Sequence, residues 1–205
     1  LYQLWPAFSL QANLGFNNVR SEQISAAPIT SKNPSLNPTG SSSFGTQNIR
    51  TMIFEPLANY KTNISKGKIE LMAGATIQQN LNRGQLVSLT GYTDDLLLES
   101  MNFGTVIAKS SNTIDYKYLS FFNRLNFNWD NKYLINGNYR RDGSSRFGSG
   151  KQFGNFGSIG LAWLFSNEDF VRNKFHWISY GKLRGSYGTT GNDGIGDYAY
   201  LSTYT

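Results

Sequence analysis

Few residues in this chain have the types and spacing for chemistry. The densest group reads Arg140-Arg141-Asp142-Gly143-Ser144-Ser145-Arg146-Phe147. Each arginine presents a planar fork of donors, so this group could grip peptide carboxylates or sugar hydroxyls. A structural reading explains the same residues without a ligand. Asp142-Gly143 is turn chemistry, and Asp142 can pair with Arg141 or Arg146; that reading is the one expected. Glu55 and Glu70 fall on the polar side of neighbouring predicted strands. Paired carboxylates across a cleft can hydrolyse glycosides, but the wetted lining of a sheet uses carboxylates in the same way, and lining is expected here. Asp94-Asp95 and Asp193 lack the spacing of a calcium-binding loop. His176 is the single histidine and cysteine is absent, which excludes a multi-histidine zinc site, a thiolate nucleophile and a disulfide framework. No glycine pattern has the order of a phosphate-binding loop, and no nucleophile triad is visible. The expectation is no enzyme, no metal and no cofactor.

Composition narrows the class of protein. A net charge of +6 could suit an anionic partner, yet the basic residues are scattered and their longest run is Arg140-Arg141, so nucleic acid is not an expected partner. Aromatic residues at 15% and 21 glycines, with many Asn, Ser and Thr, favour strands and turns over helices. No run approaches the ~18 apolar residues of a transmembrane helix. Leu1 to Leu10 has neither the basic start nor the small-residue cleavage site of a secretory leader.

The elements that must position these groups are read from alternation. Strands are predicted near 7–17, 52–64, 69–79, 118–129, 133–141, 153–165 and 180–188, with a further strand-like piece over Tyr198–Tyr204. Leu119, Phe121, Leu125, Phe127 and Trp129 alternate with Ser120, Arg124, Asn126 and Asn128. Tyr133, Ile135 and Tyr139 alternate with Asn136, Asn138 and Arg140, and Ile159, Leu161 and Trp163 with Ser158, Gly160 and Ala162. The charges inside strands, Glu55, Lys61, Glu70, Arg124, Lys182 and Arg184, all take the polar side.

A soluble sheet with one wet face would alternate likewise. Two patterns favour a membrane barrel. Long connections near 19–50 and 80–117, the tip at 142–152 and the open-ended stretch 189–205 interleave with shorter ones at 65–68, 130–132 and 166–179. Outer-membrane barrels pair short periplasmic turns with longer extracellular loops in this way. Trp5, Trp129, Trp163 and Trp177 all fall at the predicted periplasmic ends, where an aromatic girdle belongs. The fold expected is all-β, an antiparallel transmembrane β-barrel segment with seven or eight strands of a larger barrel.

The run Arg140 to Gly148 is preceded by Lys132-Tyr133-Leu134 and followed by Phe156, Ala162-Trp163 and Glu168-Asp169-Phe170. Leu183-Arg184-Gly185-Ser186-Tyr187-Gly188, Thr190-Gly191-Asn192 and Ile195-Gly196-Asp197-Tyr198 come next. In order and spacing these motifs closely resemble the C-terminal β-barrel of SusC/RagA-type TonB-dependent transporters of the Bacteroidetes outer membrane. The resemblance implies a plugged barrel of roughly twenty-two strands. It implies import of oligosaccharides or peptides with a SusD-like surface lipoprotein and the TonB complex, set in outer-membrane lipid. The plug and the TonB box have no counterpart in these residues. A passive porin or adhesin-type barrel, or a soluble carbohydrate-binding β-sandwich, are the competing readings.

Overall fold

The computed structural model describes residues 2–201. Eight strands follow one another across one antiparallel sheet in chain order. They are β1 Tyr2–Trp5, β2 Phe8–Ala27, β3 Gly40–Ile64, β4 Gly67–Tyr92, β5 Thr105–Trp129, β6 Tyr133–Ser144, β7 Phe153–Trp163 and β8 Leu183–Gly188. The fold is thus an all-β meander. One short helix, α1 Asp169–Lys174, lies between β7 and β8.

The register of β5 to β8 turns the sequence alternation into two surfaces. Trp129 pairs with Tyr133, which pairs with Trp163, which pairs with Leu183. The rows beyond are Phe127–Ile135–Leu161 and Leu125–Gly137–Ile159–Tyr187. The opposite face carries Asn126–Asn136–Gly160–Ser186 and Arg124–Asn138–Ser158–Gly188. Successive side chains on a strand point to opposite faces, so this register fixes one apolar and one polar surface. The apolar surface is not a core: Leu161, Ile159 and Tyr187 are all exposed.

The β5–β6 hairpin shows how local chemistry sets this register. Asp130 and Asn131 both take positive φ, 54° and 52°. Two successive left-handed residues make the mirror-image turn whose twist matches the strands it joins. Asp and Asn tolerate that conformation better than most side chains. Lys132 N–H then closes the turn on Trp129 C=O at 3.0 Å.

The chain divides into two compact units. One takes in the residues up to Gly15, Ile53–Gln78 and those from Tyr116 onward; the other is Phe16–Met52 and Gln79–Asp115. The second unit has its own small core of Phe44, Leu89, Tyr92 and Leu98. Asp95 ties its two connections together, accepting from Ile29 N–H at 2.6 Å and from Thr30 Oγ1 at 3.0 Å. These hydrogen bonds, that from Ile29 first, hold the Asp95 carboxyl below its ordinary value. Ser42 Oγ donates to Leu98 C=O at 2.6 Å.

Several boundaries differ from the sequence reading. The expected long connections at 19–50 and 80–117 are largely strand, and the connections themselves are only 28–39 and 93–104. The missed halves include the start of β5, where nine successive residues are all exposed. With both faces in the same surroundings there is no apolar face to alternate, so periodicity gives no signal there. The tip shrinks from 142–152 to 145–152 because β6 runs on to Ser144. The β7–β8 connection widens from 166–179 to 164–182, and the β3–β4 turn is Ser65-Lys66. The expected strand at Tyr198–Tyr204 begins as a single 3-10 turn, Ala199–Leu201; residues 202–204 lie outside the described residues.

Candidate functional site

The polar face near the tip carries a concave surface. Arg124 Nε donates to Asn138 Oδ1 at 3.0 Å, and Asn138 Nδ2 donates to Ser158 Oγ at 3.1 Å, so one hydrogen-bonded line crosses β5, β6 and β7. Beside it lies a hollow of about 640 Å³ lined by Asn138, Arg140, Asp142, Phe156, Ser158 and Thr189, among others. Its lining combines amide, hydroxyl, guanidinium and carboxylate groups with one aromatic face. Such a surface can hydrogen-bond a polar solute while an aromatic ring packs against its apolar side.

Arg140 and Asp142 form the charged edge of the hollow. Arg140 Nε donates to Asp142 Oδ1 at 2.6 Å, Arg140 also donates to the Tyr118 hydroxyl, and Ser120 Oγ donates to Asp142 Oδ1 at 2.6 Å. The expected partners of Asp142 were Arg141 or Arg146, and neither pairs with it. Arg141 is the next residue along an extended strand from both Arg140 and Asp142, so it points to the other face. There its guanidinium lies 5.1 Å from the Phe153 ring centroid.

Arg146 is committed elsewhere. Its Nε donates to Asp197 Oδ1 at 2.9 Å and its Nη1 to Asp193 C=O at 3.2 Å, while its guanidinium sits 4.5 Å from the Tyr116 ring centroid. Ser144, buried, donates to Asp193 Oδ2 at 3.0 Å, and Tyr116 Oη donates to the same oxygen at 2.8 Å. Burial pushes the Asp193 carboxyl up, but these hydroxyl donors and the Arg146 charge outweigh it and leave the group below its ordinary value. Ser145 bonds β5 twice, its N–H donating to Lys117 C=O and its Oγ accepting from Lys117 N–H, each at 2.9 Å. Gly143 leaves no room for a Cβ against the Phe153 ring. Phe147 is half-buried over the tip. Within the signature run it is therefore Ser144 and Arg146 that hold Asp193 and Asp197.

A second cluster forms at the other end of β6. Glu168 accepts from Tyr133 Oη at 2.7 Å and from Trp163 Nε1 at 3.0 Å, and pairs with Lys132 Nζ at 3.2 Å. The Lys132 and Glu168 side chains are only 17% and 14% exposed. Hydrogen bonds from Tyr133 and Trp163 lower the Glu168 carboxyl, and the hydrogen bond to Glu168 raises Lys132. Lys132-Tyr133 lies about thirty residues before Trp163 and Glu168, and the sequence alone presents them only as separate motifs. The turn at Asp130-Asn131 and the 3-10 turn Phe165–Asn167 bring them together.

The remaining singled-out residues have plain placements. Glu55 accepts from Thr76 Oγ1 at 3.3 Å, and Lys61 pairs with Glu70 at 3.3 Å. Arg184 pairs across the ladder with Ala162 on the polar face. Lys182 does not lie inside a strand; it is in the connection just before β8. Trp5, Trp129, Trp163 and Trp177 each have an aromatic neighbour, Phe8, Phe127, Phe165 and Phe175, at centroid distances of 6.1, 6.1, 5.9 and 6.4 Å. Asp193 and Asp197 are the tip partners that sequence reading missed. Asp197 falls in the Ile195–Tyr198 motif and Asp193 just after Thr190-Gly191-Asn192, but nothing in that spacing says that Arg146 is their partner.

No family model matches the chain. Over 98% of its length it is 30% identical to a TonB-dependent receptor of Formosa agariphila, of which it spans 20%. It is 41% identical over 87 residues to TonB-dependent receptor SusC of Bacteroides thetaiotaomicron, a match covering 42% of this chain and 9% of that protein. Its fold matches the RagAB peptide transporter with a TM-score of 0.82 at 27% identity, over 94% of this chain and 22% of that one. The same importer in its closed-closed state gives 0.81 at 26% identity over 95% of this chain.

The chain belongs to the SusC/RagA type of TonB-dependent receptor. This SusC/RagA-type chain is a β-barrel segment. It spans about a fifth of the length of the first relative and of the RagAB chains that it matches.

Proposed function

We propose that this SusC/RagA-type segment supplies wall and surface loops to an outer-membrane importer of oligosaccharides or peptides, with oligosaccharides the first candidate. TonB energises the whole transporter through parts outside this chain, and a SusD-like surface lipoprotein delivers the solute. The observation that carries the reading is the two-faced β5–β8 sheet, set beside the likeness to SusC and to the RagAB peptide importer. A transmembrane barrel needs an apolar band toward lipid and a polar face toward its interior.

On this reading the turns at 65–66, 130–132 and 164–182 are periplasmic, and the connections 28–39, 93–104 and 145–152 face outward. Trp5, Trp129, Trp163 and Trp177 form the inner-side girdle. Glu55, Lys61, Glu70, Arg124 and Arg184 line the lumen, with Lys182 at its mouth. The hollow beside Arg140 and Asp142 is where a hydroxyl-rich solute meets the wall.

The test is growth of a strain lacking the full-length transporter on defined oligosaccharides and on peptides as sole carbon source. Loss of growth on an oligosaccharide, with the same loss when TonB is removed, is expected. Uptake that persists without TonB would identify a passive pore. Loss on peptides alone would move the substrate class.

A further inference from the structure

We propose that Arg141 and the apolar hollow next to it form a binding site for a phosphorylated lipid of the outer leaflet, lipid A, on the outside of the barrel wall. The inference rests on the transporter reading above and adds a specific lipid contact to it.

Two independent observations meet at this place. The first is a charge. Arg141 is exposed and lies on the same face as Trp129, Tyr133, Ile135, Leu161 and Trp163. Among the described residues it makes no ion pair; its one recorded partner is the Phe153 ring, 5.1 Å away. Its neighbours Arg140 and Arg146 are each engaged by a carboxylate, Asp142 and Asp197. An arginine left without a carboxylate, on a face of apolar side chains, is costly unless an anion from outside meets it.

Depth is consistent with a headgroup. From the Tyr133 row to Arg141 the strand rises about 27 Å at ~3.4 Å per residue. With a tilt of about 40° that is roughly 21 Å along the membrane normal, against an apolar band about 25 Å tall. A long side chain reaches outward from there to the interface. The Phe153 ring beneath the guanidinium holds it without satisfying its donors, leaving the fork free for a phosphate.

The second observation is a shape. Phe121, the cross-strand partner of Arg141 on β5, is also a wall of an apolar hollow of about 670 Å³. Its floor is Ala12, Pro56, Ala58, Ala73 and Ala75. Gly74 packs against Phe122 and Leu57, which belong to the polar face, so Ala73 and Ala75 point the other way, toward lipid. Small side chains between bulkier neighbours leave room for an acyl chain. A cation at headgroup depth beside a trough for hydrocarbon is complementary to one amphiphile bearing both phosphate and acyl chains. The loop-bearing side of the wall faces the outer leaflet, and this selects lipid A over phospholipid as the occupant.

The test uses the full-length transporter, delipidated in detergent and titrated with lipid A, with occupancy read by native mass spectrometry. Retention of one lipid A by the wild type, and at least a fivefold loss of occupancy in Arg141→Gln, is expected. Ala75→Phe, which fills the trough and leaves the charge, should lose occupancy too. Lys182→Gln, a charge removed at the opposite end, should match the wild type. Equal occupancy in Arg141→Gln and wild type, equal binding of dephosphorylated lipid A, equal binding of phosphatidylglycerol, or an equal loss in Lys182→Gln would each overturn the proposal. Each variant is first shown to run as a heat-modifiable barrel in the membrane fraction. Failure of the wild type at that step would count against the transporter reading, and not against the lipid site alone.

Discussion

Arg146, in the tip between β6 and β7, is held by Asp197, 51 residues further along the chain, at 2.9 Å. The same guanidinium packs on Tyr116, and Asp193 draws in Ser144 and Tyr116. Tip and tail are thus one clamp. Arg146→Ala should cost about 1–2 kcal/mol, the worth of a charge-assisted hydrogen bond trimmed for partial exposure. The local effect should be larger than the global one, with amide exchange across 189–201 speeding up at least tenfold. Asp197→Asn keeps a neutral acceptor and should do less. Unchanged exchange in Arg146→Ala would mean that the tail is held by something other than this pair.

The two faces of β7 predict opposite tolerances. Leu161 lies between Ile135 and Gly185 on the apolar face, and Ser158 accepts from Asn138 on the polar one. A charge introduced at mid-depth on a lipid face costs about 2–4 kcal/mol. Leu161→Arg should show that loss in urea unfolding of the bilayer-inserted transporter, and Ser158→Arg should be far milder. Equal losses would mean that the faces are assigned the wrong way round.

How much of this was legible follows from what alternation can report. Phe127, Ile135, Leu161 and their partners alternate because one side of the sheet is apolar and the other is not, so β6, β7 and the second half of β5 could be read to within about three residues. The stretch from Thr105 to Thr113 is extended as well, but every residue in it is exposed. Without an apolar side it reads as a loop, and its strand character comes from backbone pairing that composition does not record. The partner of Asp142 was misassigned although the signal was present: neighbours on a strand face opposite ways, so Arg141 was never available and Arg140, two positions away, was. Asp197 is different. Its link to Arg146 depends on how the tail folds back, which no local spacing contains.

Glu168 gives the turn cluster a pH dependence of defined sign. Its folded carboxyl lies below its ordinary value of 4.5, so its contribution is complete above that value and is lost as pH falls through the lower folded one. Lys132 runs the other way: raised above 10.5, it contributes fully below that value and loses its contribution as pH climbs through the higher folded one. Between these limits the Lys132–Glu168 pair should be insensitive to pH. Glu168→Gln should therefore flatten the acid limb of stability and leave the neutral plateau parallel to wild type. Tryptophan fluorescence offers a direct readout, since Trp163 Nε1 donates to Glu168 at 3.0 Å. An acid limb unchanged in Glu168→Gln would remove this carboxyl from the account.

Gly104 tests whether the small core of the second unit is close-packed. A Cβ there would lie 2.7 Å from Tyr92 Cε2 and Cζ and 2.9 Å from Leu89 Cβ. Neither neighbour can easily give way: Tyr92 is fully buried with its hydroxyl donating to Ser100 C=O at 2.9 Å, and Leu89 is 1% exposed. Gly104→Ala should cost about 1–3 kcal/mol, the usual range for overpacking. The loss should appear as faster amide exchange across 89–104, with β6 and β7 unaffected, because local opening reports local stability. Gly185→Ala is the matched control, since a Cβ there meets nothing within 4 Å, and it should leave exchange unchanged. If Gly104→Ala exchanged no faster than Gly185→Ala, Tyr92 would have room to move and the connection from 93 to 104 would be held by its hydrogen bonds through Asp95 and Ser42 rather than by close packing.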